Sequence, residues 1–361
     1  MSDCLYCPNL ANSLEHVLPA AFGEFTDAPN LEGRVCGECN EKRLGNLDQQ
    51  LARSGPEGFF RKWYGIKGRT RHSNVNPFYR GSAGAGRQEF SAWDPIWGVE
   101  VNLEVENGHA RQLRELIFVE RASGKTHHLP IREDATREGL LQAFKGLEVV
   151  EPFDARVSIA REEEIWVKPL LKQAWPALRF EEPIRGSTVF EGATGKFEAN
   201  ARYFRAFAKI GFHYFLTQFS SYIGNEPIFS RLRQFISDDA TTLASVNDFV
   251  GEREHPLLGE MLNPNARPDG WRAHLLCAEV KPGECLAHIQ MFLTEDWQAR
   301  IYTIRLANDP TIIGTGAAGH SYCYYHDGPR GRFSGEAKPL SVTRANFVLP
   351  PLAPAVKSAS Q

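Results

Sequence analysis

The chain has 361 residues, 42% of them hydrophobic and 24% charged, with a formal net charge of −3 at pH 7. Such a length and composition exclude a disordered tail or a fibre and allow two or three compact domains with ordinary cores. The sequence has no run of about 18 uncharged apolar residues and no basic, apolar start of the signal-peptide kind, so a cytoplasmic protein with no membrane partner is expected. In chain order, residues 1–52 read as a Cys-x2-Cys knuckle, a strand over 16–21, a loop and a second knuckle. A helix then opens near Asn40 and carries Leu44, Leu47 and Leu51 on one face. Ser54-Gly55-Pro56 stops that helix, and the Gly, Ala and Ser of 81–87 make the most linker-like segment. Strands are predicted over 99–105, 115–120, 155–159 and 164–167, with one amphipathic helix over 137–146. A long helix over 197–222 spaces Phe204, Phe207, Ile210, Phe215 and Phe219 along its apolar side and leaves Lys209 on another. Strands over 274–279, 287–292, 299–306 and 322–325 follow, and the Pro, Ala and Ser of 351–361 predict a disordered tail.

The strongest chemical signal is the cysteine spacing. Cys4 and Cys7 form one knuckle and Cys36 and Cys39 the other, about 30 residues on, which is the spacing of a tetrahedral structural Zn²⁺ site. Four thiolates leave such an ion no open position, so any reaction here needs other residues and a second, hard cation. Seven cysteines with four in knuckles suit a reducing compartment better than a disulfide scaffold, and Cys277, Cys285 and Cys323 read as buried free thiols. Between the knuckles lies Glu15-His16-Val17-Leu18-Pro19, a carboxylate beside a histidine.

The net charge hides an uneven distribution. Residues 1–33 hold five acids and no Lys or Arg, whereas 34–87 hold eleven bases against four acids. Lys42, Arg43, Arg61, Lys62, Lys67, Arg69 and Arg71 are therefore candidate phosphate contacts, with Trp63 and Tyr64 available to pack against sugar or base. An ordinary solvated face explains the same run equally well.

The ordered set Cys-x2-Cys, Glu-His-Val-Leu-Pro, Asn30-Leu31, Val-Cys-Gly-Glu-Cys-Asn and Leu-Gly-Asn-Leu-Asp resembles the zinc-ribbon branch of the HNH endonucleases, over roughly residues 4–52. The resemblance implies an α+β chain: a zinc-bound ββα-metal module over 1–55, a basic connector over 56–89, a mixed α+β region over 90–350 and the tail. It implies a metal-dependent endonuclease acting on DNA, in a setting such as phage defence or restriction, with His16 as general base, Asn30 as its brace and Asn40 as the third signature position. It further implies Mg²⁺ or Mn²⁺ held by Glu15 and Asn40. Residues 90–350 are left to bind a protein partner or signal ligand, and nothing in the sequence sets the oligomeric state.

The residues suit that chemistry on their own terms. A neutral histidine takes a proton from water near neutral pH, and an amide contact to its other ring nitrogen fixes the tautomer. The competing readings are plainer: Asn40 as a helix cap, Asn30 as a turn residue after Pro29, and the module as a non-catalytic nucleic-acid-binding or scaffold ribbon. Gly314-x-Gly316-x2-Gly319 formally matches a dinucleotide fingerprint, but the sequence after it reads as strand rather than helix. His127, His128, His320 and His326 have no neighbour at metal-ligand spacing and read as surface or packing histidines.

Overall fold

The computed structural model describes residues 3–66, 76–79, 86–132, 134–178, 191–197, 199–253, 272–294, 300–325, 334–340 and 353–354. They form a mixed α+β chain divided into two units, one built from residues within 1–74, 82–85 and 198–361, the other from residues within 75–81 and 86–197. The N-terminal module thus shares a unit with the C-terminal half, and the stretch 90–350, read as one region from sequence, is divided between the two.

The N-terminal module begins with a knuckle closed by a bridge between Asp3 and Leu10. Strand β1 (Ser13–His16) pairs antiparallel with β3 (Asn30–Val35), which places Glu15 opposite Leu31 and His16 opposite Asn30. The strand expected over 16–21 ends at His16 instead, because Pro19 has no N–H to give a ladder and the chain turns through Ala20–Phe22. After β2 (Glu24–Thr26) and the second knuckle, Cys39–Leu44 is wound as a π-helix and runs into α1 (Gly45–Ser54). Gly55 stops α1 as expected, and Pro56 at once starts a second helix, α2 (Pro56–Trp63), where only a connector was expected.

The second unit holds a four-stranded antiparallel sheet and a three-stranded one. The first comprises β4 (Glu89–Asp94), β5 (Val99–Glu106), β6 (His109–Gln112) and β10 (Glu191–Lys196), in the order β10-β4-β5-β6. The second has β7 (Glu115–Glu120) between β8 (Thr126–Pro130) and β9 (Phe153–Ser158). Alternation along β7 serves two cores. Leu116 and Phe118 meet the apolar faces of α3 (Arg137–Lys145) and α4 (Arg161–Ala174), while Ile117 packs with Val99, Val101 and Leu103. The strand expected over 164–167 is part of α4, whose buried Val167, Leu170 and Leu171 follow helical spacing. His127 and His128 lie against the buried carboxylates of Glu120 and Glu115, at 2.7 and 3.1 Å.

Helix α5 (Ala201–Gln218) is buried on every side from Tyr203 to Leu216, as expected of a helix at the centre of a core. One side packs on an eight-stranded sheet and another on α1 and β3. The sheet contains β11 (Val250–Arg253), β12 (Arg272–Lys281), β13 (Glu284–Thr294), β14 (Ile301–Asn308), β15 (Gly316–Tyr325), β16 (Ser334–Leu340) and β17 (Ala353–Pro354). Its order is β17-β11-β14-β13-β12-β15-β16-β2, so β2 of the N-terminal module joins the edge, parallel to β16. Gly211 lets α5 lie close to the sheet, since a Cβ there would stand 3.0 Å from Ala287 Cβ and Ile304 Cγ1. Helix α6 (Ser230–Ser237) closes the far side of α5. Within the expected tail, Ala353–Pro354 is a short strand paired to β11, and 355–361 lie outside the described residues. Among the described residues no helix is long and apolar enough to cross a membrane.

Candidate functional site

Cys4, Cys7, Cys36 and Cys39 come together with their four sulfurs within 4.8 Å of one another. Tetrahedral Zn–S bonds of about 2.3 Å set sulfurs roughly 3.8 Å apart, so this cluster has the span of a four-thiolate metal site. Backbone N–H groups already point at the sulfurs: Cys36 N and Tyr6 N donate to Cys4 Sγ, and Cys39 N donates to Cys36 Sγ. Burial and its neighbouring sulfurs push the Cys39 thiol up, whereas the Cys39 N–H and the other sulfurs bring Cys36 down to about 7 against the opposing effect of burial. Four sulfurs this close cannot all ionise without a cation between them, and a bound metal supplies that charge. The residues therefore fit a structural metal ion.

On the strand that follows the first knuckle, His16 is half-buried and its Nδ1 lies 2.9 Å from Asn30 Oδ1. A carboxamide oxygen only accepts, so Nδ1 is the donor in this pair. Asn30 is thus more than a turn residue. It is the direct cross-strand partner of His16 in the β1–β3 register.

Asn40 takes a place that neither sequence reading described. Its Nδ2 donates to Leu14 O at 3.2 Å and to Ser13 Oγ at 3.4 Å, tying the start of the helix to β1. It does not cap the helix, whose N-cap position is Glu38.

Glu15 faces away from His16 and is only 2% exposed. Its Oε1 lies 2.5 Å from Lys209 Nζ, and the same ammonium meets Asp48 Oδ1 and Oδ2 at 2.7 and 2.8 Å. His213 stands beside the cluster, with Nδ1 3.8 Å from Glu15 Oε1 and Nε2 2.8 Å from the Tyr6 hydroxyl. Burial, together with the Lys209 charge, holds His213 well below the usual imidazole range, so it is neutral. Burial pushes Asp48 up to about 6 even with Lys209 beside it. The two carboxylates keep Lys209 charged by outweighing the cost of its burial. The carboxylate of Glu15 was expected to meet the amide oxygen of Asn40 around Mg²⁺ or Mn²⁺. As placed, Glu15 is bound to a lysine and Asn40 is tied through its Nδ2 to Leu14 O and Ser13 Oγ, so these two residues do not fit a divalent ion between them.

Sequence reasoning missed the roles of Lys209, Asp48 and His213. The available signal was Lys209 and His213 inside the apolar run of residues 206–216, since a charge on a fully buried helix demands a partner.

The basic candidates divide. Lys42 is exposed and paired with Glu38, while Arg43 donates to Tyr6 O and so braces the first knuckle. Arg61 donates to Ala21 O at 2.7 Å and Ala52 O at 3.4 Å. Lys62 is half-buried on α2, and Lys67, Arg69 and Arg71 lie outside the described residues. Trp63 stacks on Phe59, and Tyr64 stacks on Phe60 and Phe292, so Tyr64 belongs to the core edge rather than to a base platform.

Compared with models of known protein families, with curated proteins and with solved structures, the chain matches none.

Proposed function

We propose that the N-terminal module is a zinc-stapled nucleic-acid hydrolase of the HNH kind, with His16 as the base that takes a proton from the water attacking a DNA phosphodiester. The observation that carries this reading is the His16–Asn30 contact, in which an amide oxygen meets one ring nitrogen of a half-buried histidine at 2.9 Å, as the brace of a general base would. An antiparallel pair that runs into a helix, with four cysteines closing its ends, supplies the rigid frame such a histidine needs. Four sulfur donors favour Zn²⁺ over Mg²⁺ or Mn²⁺ at the cysteine site. The chain's own contribution to the reaction is then limited and concrete. Asn30 sets the His16 tautomer, His16 accepts the proton, and Asn40 holds β1 against the helix.

A second reading is favoured by a specific observation, the engagement of Glu15 by Lys209. A carboxylate spent on an internal lysine is what a nucleic-acid-binding ribbon with a silenced site would show. Supercoiled plasmid incubated with the full, zinc-loaded chain in Mg²⁺, in Mn²⁺ and without added divalent ion separates the two. Cleavage that disappears in His16→Ala supports the hydrolase. Retarded but intact plasmid, bound equally by wild type and His16→Ala, supports the binding module.

A further inference from the structure

Lys209 is a fully buried amine on the central helix of the core, 161 positions along the chain from Asp48. An ammonium has three protons to donate, and here three carboxylate oxygens receive them at 2.5, 2.7 and 2.8 Å. These oxygens come from β1 and α1, the two elements that also carry His16 and follow the second knuckle. A fourth group faces the same place: the Nδ1 of His213 is buried, has no hydrogen-bond partner among the described residues and lies 3.8 Å from Glu15 Oε1. Two carboxylates and an imidazole gathered around one buried positive charge form the donor set of a hard-cation site, with an amine at its centre.

We propose that the Lys209 ammonium is a protein-borne substitute for a metal ion, filling the space among Glu15, Asp48 and His213 so that the native chain takes no divalent cation there. The Lys209 cluster forms whether or not His16 hydrolyses anything. Lys209 is a positioning residue in this scheme: through Glu15 it fixes β1, and through Asp48 it fixes α1 on the core. Its charge is held by the fold, so this corner stays assembled where free divalent ions are scarce. Hard cations take oxygens at about 2.0–2.6 Å, so a metal that replaced the amine would draw the two carboxylates slightly closer than Lys209 holds them.

The test is uptake of Mn²⁺, followed through the loss of its free-ion paramagnetic signal, by the full chain with its cysteine site saturated with Zn²⁺. Wild type is expected to take up none at this cluster, so that Glu15→Gln leaves its uptake unchanged. Lys209→Gln is expected to take up about one equivalent more than wild type and to gain more melting temperature from Mn²⁺ than wild type does. The double variant Lys209→Gln with Glu15→Gln should take up no more than wild type and gain no more melting temperature from Mn²⁺ than wild type does. If Lys209→Gln is unfolded without metal, refolding with and without Mn²⁺ becomes the measurement, and recovery only in Mn²⁺ supports the proposal. The proposal is overturned by uptake in wild type that Glu15→Gln abolishes. It is equally overturned if Lys209→Gln takes up no more Mn²⁺ than the double variant, or stays unfolded in Mn²⁺ while the double variant folds. Plasmid cleavage is absent from these readouts, so failure here is distinct from failure of the hydrolase reading.

Discussion

His16 and Asn30 are register partners across β1 and β3, and their side chains meet at 2.9 Å from Nδ1 to Oδ1. The backbone pairing sets this contact, so it does not depend on a flexible loop finding its place. Removing the imidazole removes the base itself, which costs typically 10²–10⁴-fold in rate. His16→Ala is therefore expected to lose plasmid cleavage by that factor while keeping its metal and melting temperature. Asn30→Ala is expected to lose less rate and to shift the pH profile, because the ring remains but its tautomer is no longer set. A pH profile of Asn30→Ala that superimposes on wild type sinks the assignment of Asn30 as the brace.

The four-cysteine cluster fits a metal that would staple a module whose helices otherwise depend on the core around α5. Cys39→Ser replaces one of the four sulfur donors with a weak ligand, and removing a structural ligand usually releases the metal. The expected outcome is protein with less than stoichiometric zinc, early proteolysis in residues 1–55 and no cleavage. Metal analysis of wild type purified without chelator decides the identity of the ion.

These cysteines were legible because knuckle spacing is local and survives any rearrangement of the rest of the chain. That Asn30 would meet the His16 ring was expected only from the resemblance, and the cross-strand contact between them agrees with it. The role of Glu15 was not legible, since its partner lies on a helix far along the chain and no local pattern connects β1 to α5. Within the second unit, the helix over Arg137–Lys145 is legible from its apolar face and from the Gly that follows it. Residues 164–167 mislead because four residues cannot distinguish two periodicities. The three acids in the first turn of α4 and the buried triplet Val167, Leu170 and Leu171 mark a helix once the longer window is taken. Four strands of the eight-stranded sheet, β12 to β15, are visible in the sequence; β2, β11, β16 and β17 were not read there, and the joining of β2 to β16 has no sequence signature.

Gly55 sits where α1 hands over to α2, and Tyr203 of α5 fills the space a side chain would take. A Cβ at this position would stand 2.3 Å from the Tyr203 ring, far inside contact distance. Gly55→Ala must therefore push Tyr203 away from Glu57 and Tyr302, both of which its hydroxyl meets. Overpacking of this kind costs about 1–3 kcal/mol, and a lowered urea midpoint in the zinc-loaded protein is the expected result. An unchanged midpoint shows that the ring has room to move.

The basic stretch makes a prediction that separates residues committed to the fold from candidate phosphate contacts. Arg61 is committed to two carbonyl oxygens, so Arg61→Gln is expected to lower the melting temperature. Replacing Lys62, Lys67, Arg69 and Arg71 together by Gln tests whether they neutralise phosphates. Every phosphate left without its cation makes the slope of log affinity against log salt shallower by about 0.9 for duplex DNA. The effect should be the same on unrelated DNA sequences, because phosphate contacts carry no base information. An unchanged slope in the fourfold variant moves the DNA footprint off this stretch.

Glu57 gives the fold a pH dependence of predictable sign. It is 7% exposed at the start of α2, and its Oε2 accepts a hydrogen bond from the Tyr203 hydroxyl at 2.8 Å. Burial raises its carboxyl from 4.5 to about 7, with the charge of Glu252 adding to the rise and the Tyr203 hydrogen bond opposing it. Below pH 4.5 the group is protonated whether the chain is folded or not, and folding incurs no penalty from it. As pH rises from 4.5 to about 7 the unfolded chain gives up the proton while the folded one retains it, so stability falls. Above that range both states are ionised and the loss stays constant, at about 3 kcal/mol by the linkage of pKa to free energy. Glu57→Gln keeps an acceptor for Tyr203 and removes the charge. The variant and wild type are therefore expected to unfold at similar urea concentrations near pH 4.5, and the variant at a higher concentration near pH 8. The measurement is the difference between the two proteins across that window, with zinc in excess so that the cysteine site contributes equally to both. Parallel curves, with no growth in the difference as pH rises, mean that Glu57 is already ionised in the folded state at pH 5.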